Sequence, residues 1–229
     1  MAATRTVQAT HGLKIVEPDA AFEIDFASEL ARRYSKPEIM ALFRRFSHGD
    51  DYFEHLMRRT CVRVLAKRCG SGLKIGPGVG LSHPETFEIG DGVVIGEQAV
   101  IQGRFDGTCV IGDKVWIGPQ AFLDARNLRM GDHVGWGPGA KLLGSMHSGD
   151  PLGVPIIATD LVIAPVVIEA EADIGTNAVV MPGVVIGRGA IVGAGAVVTR
   201  NVPAFAKVAG CPAEVLGYRT NRSSAEGAP

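Results

Sequence analysis

One histidine stands where a general base would be useful. His147 lies in the segment LLGSMHSGDP, directly before a polar stretch that is rich in proline and glycine. The unperturbed pKa of an imidazole lies near physiological pH, so a neutral ring can take a proton from a hydroxyl or an amine. The residues alone leave two interpretations open: His147 is a general base, or it is a histidine at a loop edge without a catalytic role.

The other histidines give little indication of a metal site. His83 in SHPETF and His133 in GDHVGW have no carboxylate or second histidine at a spacing suited to a metal ligand set. We therefore predict no metal site, and we interpret His133 as an outward-facing turn residue. The cysteines have neither C-x-x-C spacing nor the density of a disulfide framework, which favours a reducing, cytoplasmic setting. They are Cys61, Cys69, Cys109 and Cys211.

Charge and hydropathy exclude several kinds of partner. The chain of 229 residues carries a formal net charge of −1, which argues against nucleic acid and against a polybasic membrane surface. Glycine or charge interrupts the longest apolar runs well short of a membrane span. Residues 1–20 contain no apolar signal-peptide core. We therefore predict no nucleic-acid partner and no membrane span.

A period of six organises the second half of the chain. A helix repeats its apolar face about every 3.6 residues and a strand about every two, so neither accounts for a period of six. Such a period instead predicts a parallel β-helix, in which each short strand stacks on its counterpart one coil away. Each group of six opens with an aliphatic residue, and these openers are Val162, Ile168, Ile174, Val180, Ile186, Val192 and Val198.

The same period extends back to Ile75 with interruptions. Insertions around residues 106–110 and before Met130 shift the frame, and Trp136 stands at an opener position where valine or isoleucine is usual. Either the coil widens there, or the indole turns toward a pocket. Residues 148–161 break the period altogether. We predict that they form a functional loop extruded from the coil, since long loops in compact scaffolds are usually functional.

The N-terminal part of the chain predicts a helical cap, which the open end of a solenoid needs. Ser35 with Glu38 and Asp51 with Glu54 have capping-box spacing, so we expect a helix after each pair. Residues 1–27 show no clear period and suggest an extended piece or an arm. The predicted helices carry many basic residues, which form either a solvated face or a basic rim for an anionic ligand.

The sequence resembles the sugar O-acetyltransferases of the hexapeptide-repeat family, such as the galactoside, maltose and nodulation acetyltransferases. The resemblance covers residues 70–216 and is carried by the motifs P-G-V-x-I-G, G-A-G-A-V-V-T and V-A-G-x-P-A. The stretch MGDHVGWGPGAKLLGSMH also matches the family's I-G-D-N-V … H segment. The resemblance implies a mainly β fold, a left-handed parallel β-helix with a helical cap and an extruded loop, that forms a homotrimer. The expected parts are residues 1–70 (arm and cap), 71–216 (β-helix) and 217–229 (flexible tail).

The resemblance also implies a reaction that uses acetyl-CoA as co-substrate. His147 would take the proton from an acceptor hydroxyl, which then attacks the thioester carbonyl. Thr176 matches the family's oxyanion donor. Ala194, Thr199 and Arg200 match positions that line the CoA groove, where a cation can meet phosphates.

The acceptor is less well defined. Asp124 in AFLDARNLRM matches an aspartate that lies at the family's acceptor site, although the residues alone also allow a turn-capping aspartate. The stretch IGPQAF replaces the asparagine-rich segment that often precedes this aspartate, and Ser148 replaces the proline that commonly follows the base. Glu214 replaces an arginine that is often found in relatives, which removes one phosphate contact.

Three alternatives to a saccharide O-acetyltransferase remain open at this stage. The first is an N-acetyltransferase for a nucleotide-linked amino sugar in surface-polysaccharide synthesis, because the basic helices and the changed acceptor stretch would suit an anionic nucleotide. The second is a zinc enzyme of the γ-carbonic anhydrase type, whose three-histidine pattern this chain lacks. The third is a catalytically silent trimeric scaffold, against which His147 and the thioester-site motifs argue.

Overall fold

A computed structural model describes residues 4–10, 12–13 and 15–220. Within residues 15–220, three α-helices precede a long coil of short strands: α1 (Ala21–Arg33), α2 (Lys36–Arg45) and α3 (Tyr52–Leu65). Short 3₁₀ helices interrupt the coil at Pro84–Thr86 and Ile156–Ala158. No helix in this described part of the chain is long and apolar enough to cross a membrane.

The two predicted helix starts are confirmed as those of α2 and α3. The Glu38 carboxylate accepts hydrogen bonds from the backbone N–H of Ser35 at 2.8 Å and from its hydroxyl at 2.7 Å. These bonds, the backbone one first, lower the pKa of Glu38. The Asp51 carboxylate accepts the backbone N–H of Glu54 at 2.9 Å. In α3 the cap thus satisfies an N–H that the first turn of a helix leaves unpaired.

Helix α1 corrects the expectation of an extended arm over residues 1–27. Its buried residues include Glu23 and Leu30, whereas Phe22 and Ile24 are exposed, so its large apolar residues do not share one face. Glu23 lies on the same buried face as Ala27 and Leu30, and its carboxylate accepts two hydrogen bonds from the guanidinium of Arg59 in α3. Because an ion pair has no hydrophobic period, the sequence pattern does not reveal this helix.

Many basic residues of the helices are bound by carboxylates of the same chain. The pairs are Arg32–Glu29, Arg33–Glu29, Arg59–Glu23, Arg63–Asp19 and Lys67–Glu88. Three of them join residues far apart in the chain and fasten the cap together or to the coil. Arg59 and Arg63, which are only 21% and 24% exposed in these pairs, therefore do not form part of a rim open to an anionic ligand.

Arg58 joins the cap to the coil. Its side chain is fully buried, and its Nε–H donates to the carbonyl oxygen of Ile75 in the first coil at 2.9 Å. Its Nη1 donates to the carbonyl oxygens of Phe46 and Gly49 at 2.9 and 2.7 Å, just after the end of α2. A buried guanidinium is tolerated only when such acceptors replace water. Arg58 therefore specifies how the cap sits on the coil.

The described residues from 68 to 218 wind into a prism with three faces, each a sheet of stacked strands. The first face consists of Arg68–Cys69, Phe87–Ile89, Thr108–Ile111, Asn127–Met130, Val166–Ile168 and Val185–Ile186. The second face consists of Lys74–Ile75, Val94–Ile95, Trp116–Ile117, Gly135–Trp136, Asp173–Ile174, Ile191–Val192, Ala206–Ala209 and Glu214–Tyr218. The third face consists of Gly80–Ser82, Val100–Gln102, Phe122–Asp124, Lys141–Leu142, Val179–Val180 and Val197–Val198.

Strands at the same position of consecutive coils pair in parallel, as the period of six predicts. The openers point inward: Ile111, Ile168 and Val180, for example, are fully buried. Trp136 is fully buried as well, and its Nε1–H donates to the carbonyl oxygen of Ala140 at 3.2 Å. The indole therefore fills the coil and does not turn toward a surface pocket.

A ladder of aspartates connects successive coils at the corner between the first and second faces. The Oδ1 atom of Asp91 accepts the backbone N–H of Ser71 at 2.7 Å, and that of Asp113 accepts the N–H of Asp91 at 2.8 Å. Asp132 repeats the contact on the N–H of Asp113 at 2.8 Å. A Cβ at Gly90 would lie 2.4 Å from Oδ1 of Asp113, so each I-G-D turn needs its glycine to let the next carboxylate approach.

The predicted extruded loop of residues 148–161 is the tip of a longer β-hairpin. Strand Ser145–His147 pairs in antiparallel fashion with Leu161–Ile163. Val162, which the period of six assigns to the interior, belongs to this second strand and is 47% exposed. The coil therefore resumes at Val166–Ile168 and not at Val162, because the first strand of a hairpin needs a second strand to pair its backbone groups.

The C-terminal end of the coil is closed by an antiparallel strand. Glu214–Tyr218 pairs with Ala206–Ala209 and extends two residues past the predicted boundary of the β-helix at residue 216. Residues 221–229, which make up most of the predicted tail, lie outside the described residues.

Candidate active site

His147 ends the first strand of the hairpin, where the chain has left the prism. Its Nδ1 lies 3.0 Å from the carbonyl oxygen of Thr159. A carbonyl oxygen can only accept, so Nδ1 carries the hydrogen and Nε2 of the neutral ring carries the lone pair. The side chain is partly buried. The hairpin thus holds the tautomer that a general base needs.

Thr159 is itself held by the loop. Its hydroxyl donates to the carbonyl oxygen of Ile156 at 2.7 Å and accepts the backbone N–H of Gly149 at 3.2 Å. The backbone N–H of Ser148 donates to the carbonyl oxygen of Asp160 at 2.9 Å, which closes the loop beside His147. Thr159 is buried although its neighbours in the loop are exposed. Sequence patterns had not singled out Thr159, because no period or motif marks it.

Asp124 lies at the base of the hairpin. Its Oδ2 accepts the hydroxyl of Ser145 at 2.7 Å and the backbone N–H of Gly144 at 3.3 Å. Its Oδ1 accepts the Nε–H of Arg126 at 2.8 Å, and its side chain is only 8% exposed. The carboxylate thus anchors the strand that carries His147. That it contacts the acceptor stays a prediction.

One corner of the prism gathers residues from several coils around the hairpin. The ends of the third-face strands stack in the order Ser82, Gln102 and Asp124, and the hairpin leaves at the next coil. Two coils further on, the same corner carries Thr199 and Arg200. Coils repeat about every 4.8 Å, so this pair lies roughly 10 Å along the prism from the hairpin base.

We call this edge the hairpin corner: it comprises His83, Phe105, Asp124, the hairpin, and Thr199 with Arg200. Arg200 is 71% exposed, and its Nη2 donates to Oε1 of Glu214 at 2.5 Å. Glu214, which departs from the family pattern, therefore pairs with Arg200, the arginine that we expected to meet a phosphate.

Thr176 and Ala194 lie on another corner. They occupy the turns that lead into the third face on successive coils, and the backbone N–H of Gly195 donates to the carbonyl oxygen of Thr176 at 2.8 Å. Both residues are exposed. The width of the third face separates them from the corner that carries His147. A single chain thus distributes the predicted site residues over two edges.

Other reactive side chains do not form a competing site. Burial raises the pKa of the thiols of Cys61 and Cys109 to about 12, so both stay protonated and are poor nucleophiles. His133 is an exposed turn residue with a φ of 56°, as predicted. Across residues 4–10, 12–13 and 15–220, no three His, Cys, Asp or Glu side chains are grouped so that they could hold a metal ion.

Comparison with known proteins places the chain among transferases. The family model described as bacterial transferase hexapeptide (six repeats) matches residues 165–200. Nodulation protein L of Rhizobium meliloti (strain 1021) is 36% identical over 148 residues, which cover 63% of this chain and 69% of that protein.

Solved structures are similar as well. A hexapeptide-repeat-containing acetyltransferase from Vibrio cholerae O1 biovar eltor, complexed with acetyl-CoA, aligns with a TM-score of 0.54 and 26% identity over 87% of this chain and 90% of that one. A variant of AntD, an N-acyltransferase from Bacillus cereus, was solved in complex with dTDP-4-amino-4,6-dideoxyglucose and coenzyme A. It aligns with a TM-score of 0.62 over 69% of this chain and 87% of that one, and its identity of 21% supports the fold alone.

Proposed function

The chain belongs to the bacterial hexapeptide-repeat transferase family and is an acetyl-CoA-dependent acyltransferase, and we propose that it acetylates a hydroxyl group of a saccharide with His147 as general base. The fold of this family is a left-handed β-helix, and the prism described above is of this type. The reaction class follows from the family. The acceptor and the role of each residue are the proposal.

The observation that carries this proposal is the hydrogen bond between Nδ1 of His147 and the carbonyl oxygen of Thr159. It leaves the lone pair on Nε2, which takes the proton of the acceptor hydroxyl as that oxygen attacks the thioester carbon of acetyl-CoA. The tetrahedral intermediate then expels the thiolate of CoA, and the imidazolium returns its proton to that thiolate. The Thr159 carbonyl also stabilises the imidazolium while it exists.

The oxyanion needs a donor, and Thr176 takes this role. Because Thr176 and His147 lie on different corners of one chain, the site combines His147 of one subunit with Thr176 of its neighbour. This arrangement supports a homotrimer in which the CoA groove lies between subunits. Ala194, Thr199 and Arg200 then line the groove, with Arg200 meeting a phosphate. The cytoplasmic setting and a role in polysaccharide synthesis belong to the same proposal.

N-acetylation of a nucleotide-linked amino sugar is the alternative. Its support in the sequence comes from the basic helices and from the changed acceptor stretch IGPQAF. Of the basic residues, Arg33, Arg59 and Arg63 are bound by carboxylates of the same chain. The proposal therefore favours an uncharged saccharide acceptor.

A panel of acceptors tests the reaction and the acceptor class together. Mono- and oligosaccharides and nucleotide-linked amino sugars are incubated with acetyl-CoA, and the release of free thiol is measured. We expect turnover with saccharides that lack an amino group. Turnover confined to amino sugars would establish the alternative, and no turnover with any sugar would overturn the proposed acceptor.

A further inference from the structure

An exposed aromatic ring stands on the hairpin corner among paired charges. Phe105 is 68% exposed, and the Arg104 guanidinium carbon lies 5.1 Å from its ring centroid. The ring of His83, one coil away, meets it edge to face with centroids 6.3 Å apart. Arg104 donates to Asp106 at 2.6 Å, and His83 contacts Glu85 at 2.9 Å. We call these residues the aromatic cluster.

The cluster is built into the coil next to the hairpin. Gly103 donates its backbone N–H to the carbonyl oxygen of Ser82 at 2.9 Å, and Thr108 donates to the carbonyl oxygen of Arg126 at 3.0 Å. A Cβ at Gly107 would lie 2.1 Å from that same oxygen, so the loop that carries Phe105 is wedged between the neighbouring coils. Arg126 in turn binds Asp124, which anchors the hairpin. Continuous contacts therefore connect Phe105 to the base of the strand that ends at His147.

The predicted donor and acceptor residues lie on opposite sides of the hairpin along the prism axis. The predicted CoA residues Thr199 and Arg200 lie on the C-terminal side of the hairpin, whereas Asp124 and Phe105 lie on its N-terminal side. If the donor arrives from the C-terminal side, the acceptor extends toward Phe105. The cluster lies two coils from the hairpin, roughly 10 Å along the prism, which is farther than one pyranose ring at His147 can reach.

The chemistry of the cluster favours a neutral polyol. The face of a phenyl ring is electron-rich, so it attracts the polarised C–H groups on the face of a sugar ring. Both arginines here are paired with carboxylates, in Arg104–Asp106 and Arg126–Asp124, and the ring of His83 contacts Glu85. Such pairs present both donors and acceptors, which suits the hydroxyl groups of a sugar.

We propose that the aromatic cluster is a second sugar subsite: the acceptor is an oligosaccharide whose acetylated ring lies at His147 while another ring of the chain stacks on Phe105. This inference rests on the proposed saccharide acetyltransferase function. It adds that the enzyme prefers longer acceptors, because only these place a second sugar ring on Phe105.

The experiment compares acceptors of one, two, three and four sugar rings by thiol release from acetyl-CoA, with the intact chain and with Phe105→Ala. We expect kcat/KM of the intact chain to rise with length. We expect Phe105→Ala to lower kcat/KM for the longer acceptors about tenfold through KM, because the lost contact acts on binding. Turnover of the shortest accepted sugar should stay unchanged.

Controls separate stacking from general effects of the substitution. Phe105→Tyr keeps a ring face and should keep the preference for length. Phe22→Ala removes an exposed phenylalanine from α1 and should leave all acceptors unaffected. The molecular mass of each variant is measured by light scattering.

Three results would overturn the subsite. The first is an unchanged length preference in Phe105→Ala, and the second is an equal loss of kcat/KM for acceptors of every length. The third is dissociation of the Phe105→Ala oligomer, which would identify the ring as a subunit contact. An intact chain that acetylates no sugar of any length would instead overturn the proposed function, and the subsite with it.

Discussion

The orientation of His147 depends on one backbone contact, the carbonyl oxygen of Thr159 at 3.0 Å from Nδ1. Thr159 in turn depends on its own bonds to Ile156 and Gly149 across the loop. At the scale of residues, the orientation of the proposed base is thus set by groups that take no part in the proposed proton transfer. This arrangement is typical of sites in which a neighbouring acceptor sets the tautomer of a histidine.

His147→Ala tests the base directly. We expect thiol release to fall by a factor on the order of 10²–10⁴, because general-base catalysis contributes about that much. The circular dichroism spectrum and the oligomeric mass should not change, since His147 lies outside the packed prism. His133→Ala is the matched control, as it removes an exposed turn histidine. Near-normal turnover of His147→Ala would contradict general-base catalysis by His147.

Glu214→Gln tests whether Arg200 meets a phosphate of CoA. In the free chain, Arg200 is paired with Glu214, and both side chains are largely exposed. Glu214→Gln removes the carboxylate that competes with a phosphate for Arg200, so the KM for acetyl-CoA should fall about two- to fivefold. This decrease in KM should become smaller as salt is added. Glu171→Gln removes a similar exposed pair with Arg188 on another corner and should leave KM unchanged. A higher KM in Glu214→Gln would contradict the assignment of Arg200.

At the scale of elements, the hairpin is an insertion that needs an anchor. Ser145 and Gly144 at its base bind the carboxylate of Asp124, which the third face presents from the preceding coil. A hydrogen bond to a charged acceptor of this kind contributes roughly 1.5–3 kcal/mol. Asp124 is therefore a positioning residue for the strand that carries His147, whatever further contact it makes with the acceptor.

Ser145→Ala removes the hydroxyl that donates to Asp124 and leaves the carboxylate itself in place. We expect the amides of residues 145–163 to exchange with solvent about tenfold faster or more, because the hairpin opens more readily. We also expect kcat to fall while the KM for acetyl-CoA is unchanged. Ser82→Ala, an exposed serine at the same corner, serves as the control. Unchanged exchange in the hairpin of Ser145→Ala would show that the hydrogen bond between Ser145 and Asp124 does not hold it.

The helical cap depends on Arg58 in a similar way. Arg58→Met keeps most of the buried stem but leaves the carbonyl oxygens of Ile75, Phe46 and Gly49 without their donor. We expect the free energy of unfolding to fall by roughly 3 kcal/mol, since buried polar groups without partners are costly. Arg45→Met, on the exposed side of α2, should change it little. Urea unfolding followed by circular dichroism measures both.

At the scale of the whole molecule, the distribution of site residues is the main result. His147 and Thr199–Arg200 share one corner of the prism, whereas Thr176 and Ala194 lie on another. A prism of packed aliphatic side chains cannot bend to bring two corners together. The proposed pairing of His147 with Thr176 therefore requires a second subunit, which is why we propose a homotrimer.

Complementation between two inactive variants tests this arrangement. His147→Ala and Thr176→Ala chains are produced separately and together, and each preparation is assayed for thiol release. Mixed trimers contain interfaces at which an intact His147 faces an intact Thr176, so the coexpressed sample should regain a substantial part of the activity. Activity of the mixture no higher than the average of the two separate variants would place both residues in the same subunit's site.

The sequence by itself determined the coil, its interior and the starts of two helices. These features depend on residues that are close in the chain or repeat every six positions: the openers such as Ile168, and the cap formed by Ser35 with Glu38. The break in the period placed His147 directly before an extruded loop, and the structure finds it at the end of the first strand of a hairpin. Local periodicity and capping chemistry are visible in a single sequence because they need no knowledge of distant contacts.

Only the tertiary structure decided the rest. Helix α1 is held by a pair 36 residues apart, Glu23 and Arg59, and the hairpin by a pair 21 residues apart, Asp124 and Ser145. The tautomer of His147 depends on Thr159, and the position of Phe105 beside His83 depends on how neighbouring coils stack. Contacts of this kind arise from how coils stack and where a hairpin folds back, and polar pairs across such distances leave no period in the sequence.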